Sequence, residues 1–418
     1  MAERSLLMVP GPVEISPRVL GAFSTPPPGH TAPALIEAFG ESLERMRRVW
    51  AADPTSQPFV VGGGGTLAMD MAVYNLVSPG DRVLVVKSGF FSDRLAAMLR
   101  RQGASTIEVG AEPGETPAVE SVREALASAR AGGPFTALFA AHVDTSTGVR
   151  IDPEPLARLA REEGMLAVFD GVSGAGGEVF NMAEWDVDVY LTASQKALGL
   201  PPGLALMVVS ARALAVRASR SGPPPPMYLD WETWRPVQRA YEERRASYFS
   251  TPPTNLVLAL AAGLAEIESE GVAARITRHA RAGSALRSAW SALGLRLLPA
   301  REDLAANTLS ALCLPAVPIQ PTDSRARAES RDRHWVGVEA PAVVARIAEH
   351  GVTVATGLLA KLSSRYFRVG HMGWVVGRPD LLRRTVAAVA AGLSDCGLGA
   401  GAEAERRALA ALDVVQEW

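Results

Sequence analysis

Lys196 is the residue whose surroundings best suit chemistry. It lies in Thr192-Ala193-Ser194-Gln195-Lys196-Ala197-Leu198-Gly199, a small and apolar setting, ahead of Leu200-Pro201-Pro202-Gly203. Desolvation lowers the pKa of an amine and makes it a usable nucleophile. Most lysines are solvated surface residues, but this one follows a buried-strand pattern and precedes a Pro/Gly loop. Asp170 stands 26 positions earlier, after Leu166-Ala167-Val168-Phe169 and before Gly171-Val172-Ser173-Gly174. A carboxylate at a strand end among small neighbours can meet a metal, a ribose or a protonated ring nitrogen, or simply start a turn. Gly62-Gly63-Gly64-Gly65-Thr66 joins another strand to a helix. Glycines let the backbone approach an anion, and the free N–H groups and dipole of a helix start bind phosphate. The run matches neither GxxxxGK[ST] nor a dinucleotide fingerprint with an acid downstream, and alone it reads equally well as a tight turn. The combination is more specific. A phosphate cradle, an acid and a lysine at strand ends are what pyridoxal phosphate requires: the lysine forms the imine, and the acid keeps the pyridine nitrogen protonated so that the ring accepts electrons.

The elements that must position these groups alternate. Short apolar runs at Phe59–Val61, Val83–Val86, Ala137–Ala141, Met165–Phe169, Val187–Thr192 and Leu204–Val209 predict strands. Helical spacing covers 33–52, 66–77, 92–101 and 153–163. Such alternation predicts an α/β fold with a mainly parallel sheet covered on both faces and ligands beyond the carboxyl ends of its strands. The Pro/Gly-rich residues 1–30 are expected to be extended or irregular, and Pro223–Pro226 a surface loop. A long helical pattern at 255–270 leads into helices at 272–293, 341–350 and 379–394, with short strands near 306–315 and 352–356. This reads as a smaller C-terminal α/β domain. Residues 318–334, polar and Arg-rich, look like an inserted loop, and 400–418 like a terminal helix or tail. The expected organisation is an arm at 1–20 packing with the small domain, a large cofactor-binding domain at 21–255 and a small domain at 256–418.

With 418 residues, more than one domain is expected. A net charge of −2 gives no electrostatic reason to expect nucleic acid or an anionic membrane as a partner. Cys313 and Cys396 form no CxxC pair, and the histidines show no HxxxH or HxH spacing. A disulfide framework and a metal site are therefore not expected. No apolar run reaches bilayer length and no signal-peptide pattern is present, so the expected compartment is the cytoplasm.

The chain resembles the class V aminotransferases of fold-type I pyridoxal-phosphate enzymes, above all the alanine–glyoxylate and serine–glyoxylate aminotransferases, from Pro10-Gly11-Pro12 to about residue 394. The stretch Gly64-Gly65-Thr66 with its helix and Ser78-Pro79-Gly80-Asp81 is similar to the family's phosphate loop. Gly89-Phe90-Phe91-Ser92-Asp93-Arg94 resembles the segment whose aromatic stacks on the pyridine ring, which implies Phe91. His142-Val143-Asp144-Thr145-Ser146-Thr147-Gly148 is similar to H-x-E-[ST]-S-T-G, which implies that Ser146 contacts the cofactor near its phenolic oxygen. Asp170-Gly171-Val172-Ser173 resembles D-x-[VA]-S, with Val172 on the other ring face, and Ser194-Gln195-Lys196 resembles the Schiff-base segment. Tyr248-Phe249-Ser250-Thr251-Pro252-Pro253 is similar to Y-H-x-T-P-P, whose Tyr and Thr reach the phosphate of the neighbouring subunit; the resemblance thus implies a homodimer with shared sites. Phe367-Arg368-Val369-Gly370-His371-Met372-Gly373 resembles F-R-I-G-H-M-G, which gives Arg368 the substrate carboxylate and sets Gly11 beside it.

Three positions depart from the pattern: Gly64 where relatives often carry Ser, Asp144 for Glu and Phe249 for His. They bear on substrate preference more than on the chemistry. The implied reaction moves an amino group from alanine or serine to glyoxylate. Ureidoglycine–glyoxylate transfer, aminoethylphosphonate transfer and a lyase reaction are the alternatives on the same scaffold. Desulfuration fits poorly, because the stacking position is Phe91 rather than His and neither Cys lies in a matching loop. A cofactor-free binding protein and a nicotinamide dehydrogenase fit less well still.

Overall fold

The computed structural model describes residues 4–315 and 337–418. The segment read as an inserted loop, 318–334, lies outside the described residues.

Seven strands form the main sheet in the order Gln57–Gly62, Leu204–Val209, Val189–Ala193, Leu166–Asp170, Ala137–Ala141, Arg82–Val86 and Ser105–Val109. The last five are mutually parallel, while Leu204–Val209 runs antiparallel to both its neighbours. Gln57–Gly62 therefore points the same way as the parallel set. Six strands deliver their carboxyl ends to one edge.

Alternation along each strand divides the core. Leu84, Val86, Leu138, Ala140, Ala167 and Phe169 pack on one side with the helices Pro33–Val49, Val119–Ala129, Pro153–Glu162 and Thr254–Glu270. Val83, Val85, Ala137, Phe139, Leu166 and Val168 pack on the other with Gly65–Leu76, Phe90–Arg101 and Ala211–Ser219. Both faces are apolar, so these strands read as unbroken apolar runs rather than alternating ones.

A four-stranded antiparallel sheet follows, in the order Arg296–Leu297, Leu309–Cys313, Tyr366–Gly370 and Ala355–Thr356. It shares a core with the helices Val272–Ala292, Ala340–Glu349 and Pro379–Asp395. Residues 402–410 form a helix that closes over the same core.

The proline-rich beginning is more regular than expected. Leu6–Leu7 pairs in parallel with Val352–Thr353, and Pro17–Phe23 is helical. Ser16 explains the helix: its hydroxyl accepts from Val19 N–H at 3.1 Å, with Pro17 fixing the backbone at the first helical position. The strand Ser105–Val109 and the helices Val119–Ala129 and Trp231–Glu242 also had no counterpart in the sequence reading.

Candidate active site

The carboxyl edge of the large sheet gathers the groups singled out above. Lys196 lies in the turn after Val189–Ala193, where Gly199 N–H donates to its carbonyl at 2.8 Å and Ser194 Oγ accepts from Leu204 N–H at 3.1 Å. Its amine is buried and donates to the carbonyl of Pro10. The amine is lowered to about 8, first by desolvation and then by the charge of Arg368, with Asp170 opposing both. Gly11 is pressed against this side chain. A Cβ there would lie 2.5 Å from Lys196 Cδ, and φ is +86°, so only glycine fits. One end of the neighbouring Gln195 amide, Oε1, is buried without a hydrogen-bond partner among the described residues.

Asp170 ends the strand Leu166–Asp170, and its carboxylate accepts from Val172 N–H at 2.8 Å. No cation sits within ion-pair distance of it among the described residues. Burial raises it to about 7, partly offset by the Val172 N–H, while Asp144 pushes it up and Lys196 and Arg94 pull it down. Val172 reaches across to the glycine cradle: a Cβ on Gly65 would lie 2.8 Å from Val172 Cγ2. Gly64 is the N-cap of the helix Gly65–Leu76 and offers no side-chain cap, which leaves the first N–H groups free for an anion. Thr66 follows on the first turn, its hydroxyl accepting from Arg94 Nη1 at 3.1 Å.

The third turn carries Asp144. Its Oδ2 accepts from Phe91 N–H at 3.0 Å and Ser92 N–H at 3.2 Å; its Oδ1 accepts from Ser146 N–H at 3.0 Å and Ser146 Oγ–H at 2.6 Å. Asp144 thereby caps the helix Phe90–Arg101 and holds Phe91, half-buried, at its first turn. Gly89 makes room for it, since a Cβ there would meet Ser146 Oγ at 2.5 Å and Asp144 Cγ at 2.7 Å. Ser146 is brought to the cluster, but its proton is committed to Asp144 and its oxygen also accepts from Phe90 N–H at 2.9 Å. It works first as a brace. The adjoining Thr145 hydroxyl lies 2.5 Å from that of Ser173, next to Val172.

Arg368 comes from the smaller sheet. Its Nε donates to Thr356 O at 2.9 Å and its Nη1 to Thr145 O at 3.0 Å. Two carbonyls fix the plane of the guanidinium without neutralising it. Among the described residues no carboxylate pairs with it, and burial lowers its pKa. Tyr248 and Thr251 stand apart, on the surface. Tyr248 is 63% exposed, with its hydroxyl 3.5 Å from Thr251 Oγ1.

Two functional contacts had no sequence signal. Tyr366 donates from its hydroxyl to Ser146 O at 2.8 Å and accepts from Leu358 and Leu359 N–H at 2.8 and 3.0 Å, which ties the smaller sheet to the cofactor edge. The bracing by Asp144 was equally invisible, because two of its donors, the N–H groups of Phe91 and Ser92, come from a segment about fifty residues earlier.

These groups fit pyridoxal phosphate: a cradle that Gly65 keeps open beside Val172, a buried acid with one donor, a desolvated lysine and an unneutralised guanidinium. A family model, aminotransferase class-V, matches residues 29–310. The chain belongs to this family. It is 33% identical to alanine–glyoxylate aminotransferase 1 of Saccharomyces cerevisiae over 88% of this chain and 91% of the yeast protein. The crystal structure of ureidoglycine–glyoxylate aminotransferase from Bacillus subtilis superposes with a TM-score of 0.85 and 25% identity, over 98% of each chain. That of alanine–glyoxylate aminotransferase from Nostoc sp. gives 0.82 and 31% identity, over 94% of this chain and 96% of the other. This class-V aminotransferase works with pyridoxal 5'-phosphate on amino acids and keto acids.

Proposed function

We propose that this aminotransferase moves the amino group of a small L-amino acid, alanine or serine, to glyoxylate, giving glycine and a keto acid in a ping-pong cycle. The observation that carries this reading is the oriented, unneutralised guanidinium of Arg368, close enough to Lys196 to depress its amine. A carboxylate seated on that guanidinium presents its Cα to the lysine. The Pro10–Gly11 backbone packs against Lys196 on the same side, which favours a substrate with a short side chain. The yeast and Nostoc alanine–glyoxylate enzymes support the same donor and acceptor.

Bound pyridoxal phosphate supplies the aldehyde that takes up the amino group and the ring that accepts electrons from Cα. The chain does the rest. Lys196 Nζ holds the cofactor and, once released, removes the Cα proton; an amine lowered to about 8 is matched to that task near neutral pH. Asp170 holds the proton on the pyridine nitrogen. Phe91 and Val172 cover the two ring faces. Gly64, Gly65 and Thr66 take the phosphate, Gln195 and Ser146 line the site, and Gly11 with Arg368 receives the substrate acid. The enzyme acts as a cytoplasmic homodimer in which Tyr248 and Thr251 complete the neighbour's phosphate site. In support of the shared site, Tyr248 is 63% exposed with its hydroxyl 3.5 Å from Thr251 Oγ1, so the pair faces outward from its own subunit.

Stopped-flow absorbance tests this. The holoenzyme is mixed with L-alanine, L-serine or another amine, then with glyoxylate. Loss of the imine band with alanine or serine, restored by glyoxylate, is the expected result. A response to ureidoglycine or aminoethylphosphonate alone would move the donor to that class, which the match to the Bacillus enzyme makes the second reading.

A further inference from the structure

Arg94 sits one helical turn beyond Phe91, on the helix Phe90–Arg101, and no step described above uses it. Its guanidinium carbon lies 5.0 Å from the ring centre of Phe90 and 5.1 Å from that of Phe91. From there Nη1 donates to Thr66 Oγ1 at 3.1 Å, on the first turn of the helix Gly65–Leu76. Among the described residues it has no carboxylate partner; the adjacent Asp93 pairs with Lys87 at 2.7 Å instead. Its charge reaches the site interior, since it helps to lower Asp170. One N–H of five is engaged, on a group that matches phosphate geometry.

The cradle it overlooks carries no cation of its own, since Thr66 and the neighbour's Tyr248 and Thr251 would bring only hydroxyls. Gly64 and Gly65 contribute backbone alone, and Gly64 stands where a serine hydroxyl is expected. The other two cations of the site serve elsewhere: Lys196 at the aldehyde end and Arg368 at the substrate acid. A phosphate dianion on one helix start calls for a further positive charge. We propose that Arg94 is a binding residue for the cofactor phosphate, with Thr66 turning the guanidinium toward it and the rings of Phe90 and Phe91 holding its plane. The proposal rests on the cofactor placement argued under the proposed function.

The test compares pyridoxal phosphate with pyridoxal, which lacks the phosphate. Full-length wild type, Arg94→Gln and Arg94→Lys are stripped of cofactor, checked by circular dichroism, and titrated by tryptophan fluorescence with each compound. Arg94→Gln is expected to raise the Kd for pyridoxal phosphate tenfold or more, about 1.4 kcal/mol per tenfold, and to leave the Kd for pyridoxal within twofold. Arg94→Lys keeps the charge without the fork and falls between. Equal weakening of both compounds would overturn the proposal, because the loss would then lie in ring stacking. An unchanged Kd for pyridoxal phosphate would overturn it too. Failure of the wild type to bind pyridoxal phosphate more tightly than pyridoxal would remove the cofactor placement itself, a result distinct from any difference between variants.

Discussion

Two turns at the same sheet edge each bury an aspartate, and they are built in opposite ways. The turn after Ala137–Ala141 surrounds Asp144 with donors from Phe91, Ser92 and Ser146, so both its oxygens are occupied. The turn after Leu166–Asp170 gives Asp170 one N–H, from Val172. Burial raises the pKa of both. What separates a brace from a reactive group is therefore the number of donors rather than the depth. A saturated carboxylate is structure, whereas one left nearly bare is held ready for a cationic partner.

Substitution to asparagine sharpens the contrast. Asp170→Asn keeps an oxygen for Val172 N–H but loses the charge opposite the pyridine nitrogen, and turnover should fall about a thousandfold. Its cofactor-free form should melt no lower than wild type at pH 8. The sign follows from linkage. A carboxyl raised from 3.8 to about 7 stabilises the fold below its unfolded value and loses that contribution as pH climbs to about 7. A thermal melt lower than wild type would show that Asp170 braces the fold as Asp144 does.

Titration gives the next largest effect. Asp170 must ionise through about 7 and Lys196 must lose its proton through about 8 before cofactor can be taken up. The rate of reconstitution should therefore climb between pH 6 and 9, by roughly a hundredfold from Lys196 and about tenfold more from Asp170. A rise that continued about tenfold per pH unit through 9 without levelling would mean that burial does not tune Lys196.

Asp144→Asn should do the reverse of Asp170→Asn. Whichever way the new amide turns, its NH2 faces two or more donors, at about 1–3 kcal/mol for each group left unmatched. The melting temperature should drop, and turnover should fall about tenfold as Phe91 loses its anchor. Ser146→Ala is the mildest change. It removes one donor from Asp144 and the acceptor of Phe90 N–H, and should cost about 1–2 kcal/mol in a denaturant titration. A larger loss of activity than of stability would give Ser146 a direct contact with the cofactor.

The sheet was legible in the sequence because its central strands are apolar on both faces and stop at polar or glycine residues. Asp170 and Lys196 stood out for the same reason: one ends such a run and the other lies in the turn just after one. The edge strand Ser105–Val109 was missed, since its Ser105 and Glu108 are exposed and it has no apolar run to announce it. Trp231–Glu242 was missed as well, with Pro236 inside a helix that Asp230 caps. The sequence singled out Asp170 but held no sign that Asp144 is a brace. Two of its donors, the N–H groups of Phe91 and Ser92, are brought from another segment, and spacing carries no trace of them.

The strand pair Leu6–Leu7 with Val352–Thr353 has a practical edge. It anchors the stretch that ends on the carbonyl receiving Lys196. A proline-rich beginning invites trimming, and the helix Pro17–Phe23 is a natural place to cut. Shortening the protein there would not tidy a loose end. It would take the roof off the reaction chamber.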